Sequence, residues 1–135
     1  MDIDGLSRGA KIKGLDLLGT GDFTHPNYFL EIKSKLKEIP GTGIFSYDDM
    51  HFMLTCEVGT TFILDGKVRR VHHIIHSPDF EIVEQINEAL SKYGNLSSDG
   101  RPMLNMSAAE LVEILIGISK DLMITSAHAW TPFFS

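Results

Sequence analysis

Apolar and polar positions along the chain follow two periods, one typical of helices and one typical of strands. Residues 27–40 are predicted to form a helix ending at Pro40, because apolar side chains recur there at helical spacing. These side chains are Phe29, Ile32, Leu36 and Ile39. Residues 51–75 are predicted to be a β region, because apolar residues alternate over 52–58 and the Asp65-Gly66 pair is typical of a two-residue hairpin turn.

Start and stop signals predict the remaining elements. Gly14 ends a first helix, Ser77 and Pro78 begin another, and Ser107 with Glu110 forms a capping box before a third. The elements predicted in this way are helices over 2–13, 77–94 and 108–118 and strands over 15–20 and 122–127. Strands that alternate with helices predict an α/β fold with a mostly parallel sheet.

Composition limits the class of protein. The chain has 135 residues, of which 43% are hydrophobic, and this suits one domain with its own core. The net charge of −6 argues against bulk electrostatic binding of nucleic acid, although it leaves room for a local basic patch. Cys56 is the single cysteine, which excludes an intramolecular disulfide and a multi-cysteine zinc site. Without a long apolar segment or a secretory pattern, the expected location is cytoplasmic, with no membrane partner.

Carboxylate and imidazole side chains collect where the predicted strands end. They are Asp22, His25, Glu57, His72, His73 and His128. The carboxyl ends of strands form the face on which α/β folds build their sites. Imidazoles and carboxylates without thiols are a donor set for Zn²⁺, Mn²⁺ or Fe²⁺, and two or three such ions can clamp a phosphate.

Most of these residues also have a structural interpretation. Asp22 can be an Asx-turn residue and His25 a surface histidine, while His128 can pack against Trp130. Glu57 is harder to explain in this way, because a carboxylate that ends an apolar strand needs a partner.

Only one of the two adjacent histidines of the hairpin is expected to face the candidate site. Side chains of neighbouring strand residues point to opposite faces, so at most one of His72 and His73 faces a shared site. His51 and His76 are interpreted as loop or strand-edge residues outside the site.

Five segments together resemble a known superfamily. They are KGLDLLGTGDFTHP, LTCEV, GKVRRVHHIIHSP, GNLSSDGRPML and SAHAWTPFFS, in this order. The chain resembles the polymerase-and-histidinol-phosphatase (PHP) superfamily, and within it the endonuclease Q branch. The resemblance implies a partial, distorted seven-stranded (β/α) barrel with an inserted β-hairpin and up to three divalent ions, Zn²⁺ or Mn²⁺ with Mg²⁺ as an alternative. It also implies cleavage of DNA on the 5′ side of a deaminated base such as hypoxanthine or uracil, or at an abasic site.

The resemblance also implies roles for the candidate residues. GDFTHP is then a metal-binding loop that supplies His25 with Asp22 beside it, and Glu57 bridges metals. The other metal ligands are His128 and one of the two adjacent histidines, His73 in preference to His72. Glu57 and Asp22 are the expected catalytic residues.

Two motifs of the superfamily are absent from this sequence. An initial His-x-His and a later Asp-x-His are missing, so residues 1–135 are expected to be the central portion of a single, incomplete PHP domain. Such a chain, whether a truncated reading frame, a fragment or a shortened relative, is expected to be inactive alone and to self-associate through open barrel edges. The alternatives are a PHP-type phosphatase of small molecules and a non-catalytic remnant or interaction module.

Overall fold

The computed structural model describes residues 2–98 and 101–131, and within them one sheet and four helices. The strands are β1 (Leu17–Gly19), β2 (Lys37–Ile39), β3 (Ile44–Tyr47), β4 (Met50–Leu64), β5 (Lys67–Ser77), β6 (Met103–Asn105) and β7 (Met123–Ser126). The helices are α1 (Ile3–Ile12), α2 (Pro26–Lys35), α3 (Phe80–Leu90) and α4 (Ala108–Ile118). Parts of two of the quoted motifs, residues 99–100 and 132–135, lie outside the described residues.

The sheet is mostly antiparallel, so the prediction of a mostly parallel sheet is wrong. Its strands run in the order β2-β3-β4-β5-β7 with antiparallel neighbours, and only β1 and β6 pair with β4 in parallel. Consecutive strands joined by tight turns must be antiparallel, and β2 to β5 are connected in this way. Across the described residues the sheet does not close, so the structure shows a mixed α/β fold and not a barrel.

The second predicted helix is shorter than its apolar spacing suggested. α2 ends at Lys35, and Ile39 belongs to β2, whose partner in β3 is Ile44. Leu36 already has an extended backbone, with φ −80° and ψ 138°. Its side chain is buried at a position that fits helical spacing, which explains why the pattern alone did not reveal the change.

The β4–β5 hairpin has the predicted turn. Asp65 and Gly66 both have positive φ, 52° and 72°, as the preferred two-residue turn requires. The turn fixes the register, which pairs Leu64 with Lys67 and continues to Leu54 with Ser77. Since Ser77 still belongs to the ladder, Asp79 and not Ser77 is the N-cap of α3, accepting from the Ile82 amide at 2.8 Å.

The hydrophobic core lies along one face of β4. Phe52, Leu54 and Val58 are fully buried, and so are Val83 of α3 and Leu111 of α4, all within one cluster. Each such side chain contributes roughly 1.5–3 kcal/mol when removed from water, so this cluster fixes β4 in place. Among the described residues, no helix is long and apolar enough to span a bilayer.

Candidate metal site

Strand register brings Glu57 and His72 to one face of the hairpin. Gly59 is the partner of His72 in the β4–β5 ladder, and Glu57 lies two residues before Gly59 on the same face. His128 follows β7, which pairs with β5. The Ala127 amide donates to the His72 carbonyl at 2.9 Å, and this bond holds His128 beside His72.

The three side chains converge on one small volume. His128 Nε2 lies 3.2 Å from Glu57 Oε1 and 3.3 Å from His72 Nδ1, and His72 Nδ1 lies 3.8 Å from Glu57 Oε1. Donor atoms around a tetrahedral Zn²⁺ at its usual bond lengths are separated by about 3.3 Å. Two imidazole nitrogens and a carboxylate oxygen at these separations therefore fit a divalent cation.

A positively charged group already lies among these donors. Arg101 Nη1 is 3.0 Å from Glu57 Oε1, 3.2 Å from His72 Nδ1 and 3.4 Å from His128 Nε2. A guanidinium only donates hydrogen bonds, so Glu57 Oε1 accepts from it, and a histidine nitrogen accepts from it in the tautomer that leaves this nitrogen without a proton. They are the same atoms that would coordinate a metal, and the cluster thus attracts a cation.

The environment of His72 favours its neutral form. Burial is the main cause that lowers the pKa of His72, and the positive charge of Arg101 acts in the same direction, while Glu57 opposes both. Neutral imidazole is the form that binds metal. The side chains of Glu57, His72 and His128 are 30%, 14% and 29% exposed, so the cluster is partly open to a ligand from solvent.

Gly59 lets this cluster form close to β6. A Cβ atom at Gly59 would lie 3.1 Å from His72 Cδ2 and 2.3 Å from Met103 Sδ. Any larger residue would therefore displace the Met103 side chain and crowd the His72 ring.

The structure places His72, and not His73, beside Glu57. His73 lies on the opposite face of β5, where it is 4% exposed and its Nε2 is 3.0 Å from Thr60 Oγ1. Burial lowers the pKa of His73, so it packs there as a neutral side chain. In this geometry His72, and not His73, is the neighbour of Glu57 and His128, and a ligand role for His73 stays a prediction.

Asp22 and His25 are not in the three-residue cluster, and their roles stay predictions. Their loop runs beside β4, where the Phe23 amide donates to the Thr55 carbonyl at 3.4 Å, two residues before Glu57. Asp22 has φ 44°, the left-handed region that aspartate tolerates better than most residues. His25 precedes α2 without capping it, and its buried Nδ1 has no hydrogen-bond partner among the described residues, which leaves a ring nitrogen available.

Sequence reasoning missed Arg101. It belongs to the segment GNLSSDGRPML, but this arginine received no role. The available signal was an arginine directly before the short strand β6. His51, exposed on β4, and His76, half-buried on β5, both lie outside the cluster.

Comparison with solved structures shows an endonuclease Q-like fold. The whole chain matches 32% of the crystal structure of the lesion-specific endonuclease PfuEndoQ from Pyrococcus furiosus, with a TM-score of 0.83 and 34% identity. It also matches 32% of endonuclease Q solved with a 27-mer duplex substrate carrying an abasic lesion at the active site, with a TM-score of 0.85 and 36% identity.

Sequence comparison gives one curated relative of much greater length. The uncharacterized protein MJ0043 of Methanocaldococcus jannaschii is 35% identical over 133 residues, which is 98% of this chain and 14% of the relative. No known protein-family profile matches the chain. The chain thus spans about a third of the endonuclease Q chains and a smaller part of this relative.

Proposed function

We propose that this chain forms part of a metal-dependent DNA endonuclease of the endonuclease Q kind. The observation that carries the proposal is the convergence of Glu57, His72 and His128 on one cation position in a fold that matches endonuclease Q. A bound Zn²⁺ or Mn²⁺, with Mg²⁺ as an alternative, would supply Lewis-acid stabilisation of the phosphoryl oxygens and lower the pKa of a water nucleophile.

The residues of the cluster have distinct parts in this proposal. Glu57 supplies the negative charge that holds the cation, and His72 and His128 supply neutral nitrogen donors. A cation held by these three donors would take the place of the Arg101 guanidinium. Because its side chain is 42% exposed, it can turn to a phosphate oxygen, for which its planar fork is suited.

The related structures support damaged DNA as the substrate class in this proposal. One of the matched endonuclease Q structures holds duplex DNA with an abasic lesion at its active site. We therefore assign to the whole protein a nick in damaged DNA, beside an abasic site or on the 5′ side of a deaminated base. The chain covers 32% of each matched structure, and we expect it to be inactive without the remaining ligands.

The test is a chimera in which this chain replaces the corresponding part of PfuEndoQ. End-labelled duplexes with one abasic site, hypoxanthine or uracil are incubated with Mn²⁺ or Mg²⁺ and with either the chimera or the chain alone. The chimera should nick the damaged strand, and the chain alone and a Glu57→Gln chimera should not. Each ~1.4 kcal/mol lost from transition-state stabilisation costs about tenfold in rate.

Three results would contradict the proposal in different ways. A folded, metal-loaded chimera that leaves damaged DNA intact but hydrolyses small phosphate esters would favour the phosphatase alternative. A folded chimera that binds no metal would favour a non-catalytic module. Metal-dependent nicking by the chain alone would show that the missing ligands are not needed.

A further inference from the structure

The β4–β5 hairpin extends well beyond the part of the fold that covers it. We define the outer ladder as residues 61–64 of β4 with residues 67–70 of β5. Beyond Thr61 and His72 the two strands pair only with each other among the described residues. Ile63 is 75% and Val68 60% exposed, and such apolar exposure next to a candidate site is typical of a binding surface.

Register assigns the outer side chains to two faces. Thr61 pairs with Arg70 and Ile63 with Val68, and these pairs continue the face that carries Glu57 and His72. The next pairs, Phe62 with Arg69 and Leu64 with Lys67, lie on the opposite face. Arg70 is therefore the first same-face residue beyond His72, about 7 Å along the strand.

The outer ladder is basic in an acidic chain. It carries Lys67, Arg69 and Arg70, and the turn adds only Asp65, while the whole chain has a net charge of −6. Within the described residues, no ion pair engages any of the three cations. This local positive charge complements a phosphate backbone, whereas two copies of the same hairpin would repel each other.

We infer that the face of the outer ladder that continues from His72 is a track for the nucleic acid strand. Arg70 binds the phosphate next to the one held at the Glu57–His72–His128 cluster, and Ile63 and Val68 contact sugars farther along. The inference rests on the proposed function. It adds a positioning residue, Arg70, and a direction in which the strand leaves the cluster.

Two single substitutions separate the effect of the face on which an arginine lies from the effect of its charge. Arg70→Gln and Arg69→Gln remove the same charge from adjacent, exposed positions, but only Arg70 lies on the face of the cluster. Both variants should melt at the temperature of the unchanged chain. Binding of a fluorescein-labelled duplex with one abasic site is followed by anisotropy at several salt concentrations in EDTA, so that metal binding has no influence.

Arg70→Gln should weaken binding about tenfold and reduce the salt slope by about one, while Arg69→Gln should change affinity by about twofold or less. Equal effects of the two substitutions, or no binding by the unchanged chain at low salt, would overturn the inference. Self-association abolished by Ile63→Ser, with DNA affinity unaffected, would assign the surface to a second copy instead.

The inference and the proposed function can fail separately. A large Arg70 effect on binding, together with a chimera that does not nick DNA, would retain the phosphate contact and remove the nuclease proposal. If the chimera nicks DNA but Arg70→Gln and Arg69→Gln bind DNA equally well, only the inferred track would be contradicted.

Discussion

The inner and outer parts of the β4–β5 hairpin share one ladder but differ in what surrounds them. The inner part, residues 54–60 with 71–77, buries Leu54, Val58 and Ile75 completely within the core cluster. The outer ladder carries similar aliphatic residues, yet Ile63 and Val68 lie mostly in solvent. Sequence alternation alone does not separate the two, because burial depends on the elements that cover a strand. We therefore expect the buried inner part to contribute most to stability. The exposed outer ladder is the part for which we infer contacts with another molecule.

Truncation of one leucine in each part should give the largest contrast. Leu54→Ala is expected to lower the free energy of unfolding by about 2–5 kcal/mol, because it leaves a cavity in the core. Leu64→Ala removes the same atoms from a side chain that is 54% exposed, and about 0.5 kcal/mol or less should be lost. Urea unfolding of both variants measures the difference, and similar losses would show that the outer ladder is also packed.

Substitutions on the two faces of the inner part should affect stability and metal binding separately. His73→Ala removes a buried ring and leaves the Val71 carbonyl as the remaining partner of Thr60 Oγ1, so unfolding should become easier by about 1–3 kcal/mol. Its affinity for Zn²⁺ or Mn²⁺ should remain that of the unchanged chain. Calorimetric titration with the metal and thermal melts would test both, and a loss of metal without a loss of stability would return the ligand role to His73.

His72→Ala is the matched change on the other face. It should reduce metal affinity at least tenfold, or about 1.4 kcal/mol, because one of three converging donors is lost. Its effect on unfolding without metal should be smaller than that of His73→Ala. Equal metal affinity in His72→Ala and the unchanged chain would contradict the cluster as a binding site.

Arg101→Gln should have the smallest effect on metal affinity, and it should raise this affinity, whereas His72→Ala lowers it. The guanidinium competes for the place of a cation among Glu57, His72 and His128. Its removal should therefore strengthen metal binding by a few-fold, about 0.5–1 kcal/mol, since a partly exposed ion pair contributes little. The titration used for the histidine variants measures it, and weaker metal binding would show that Arg101 supports the cluster.

The sequence contained more about this site than its motifs conveyed. The Asp65-Gly66 turn pairs Leu64 with Lys67, and counting back from that pair places Gly59 opposite His72 and Val58 opposite His73. Glu57 and His72 must then share a face, so the turn alone could have shown which of the two histidines lies on the side of Glu57. His128 and Arg101 could not be placed in this way, because they reach the cluster through contacts distant in sequence.

The fold, like the site, could be predicted from the sequence only in part. Capping at Ser107 located α4, and the hairpin followed from its turn, because both signals are local. β2 was missed because Leu36 and Ile39 fit a helical period although their backbone is extended. The strand directions were missed because helices between strands suggested crossovers, whereas β2 to β5 follow one another through tight turns.

The length of β4 has a consequence for how the chain folds. β5 joins β4 through a two-residue turn, so that pairing can form within microseconds and needs little loop closure. By contrast, β1 pairs Leu18 with Phe52, and β6 pairs Thr60 with Leu104, so each must close a long loop. We expect an early hairpin that serves as a template, with β1 and β6 docking late onto opposite halves of β4. Refolding speed should therefore respond to the lengths of these two loops far more than to changes at the hairpin tip.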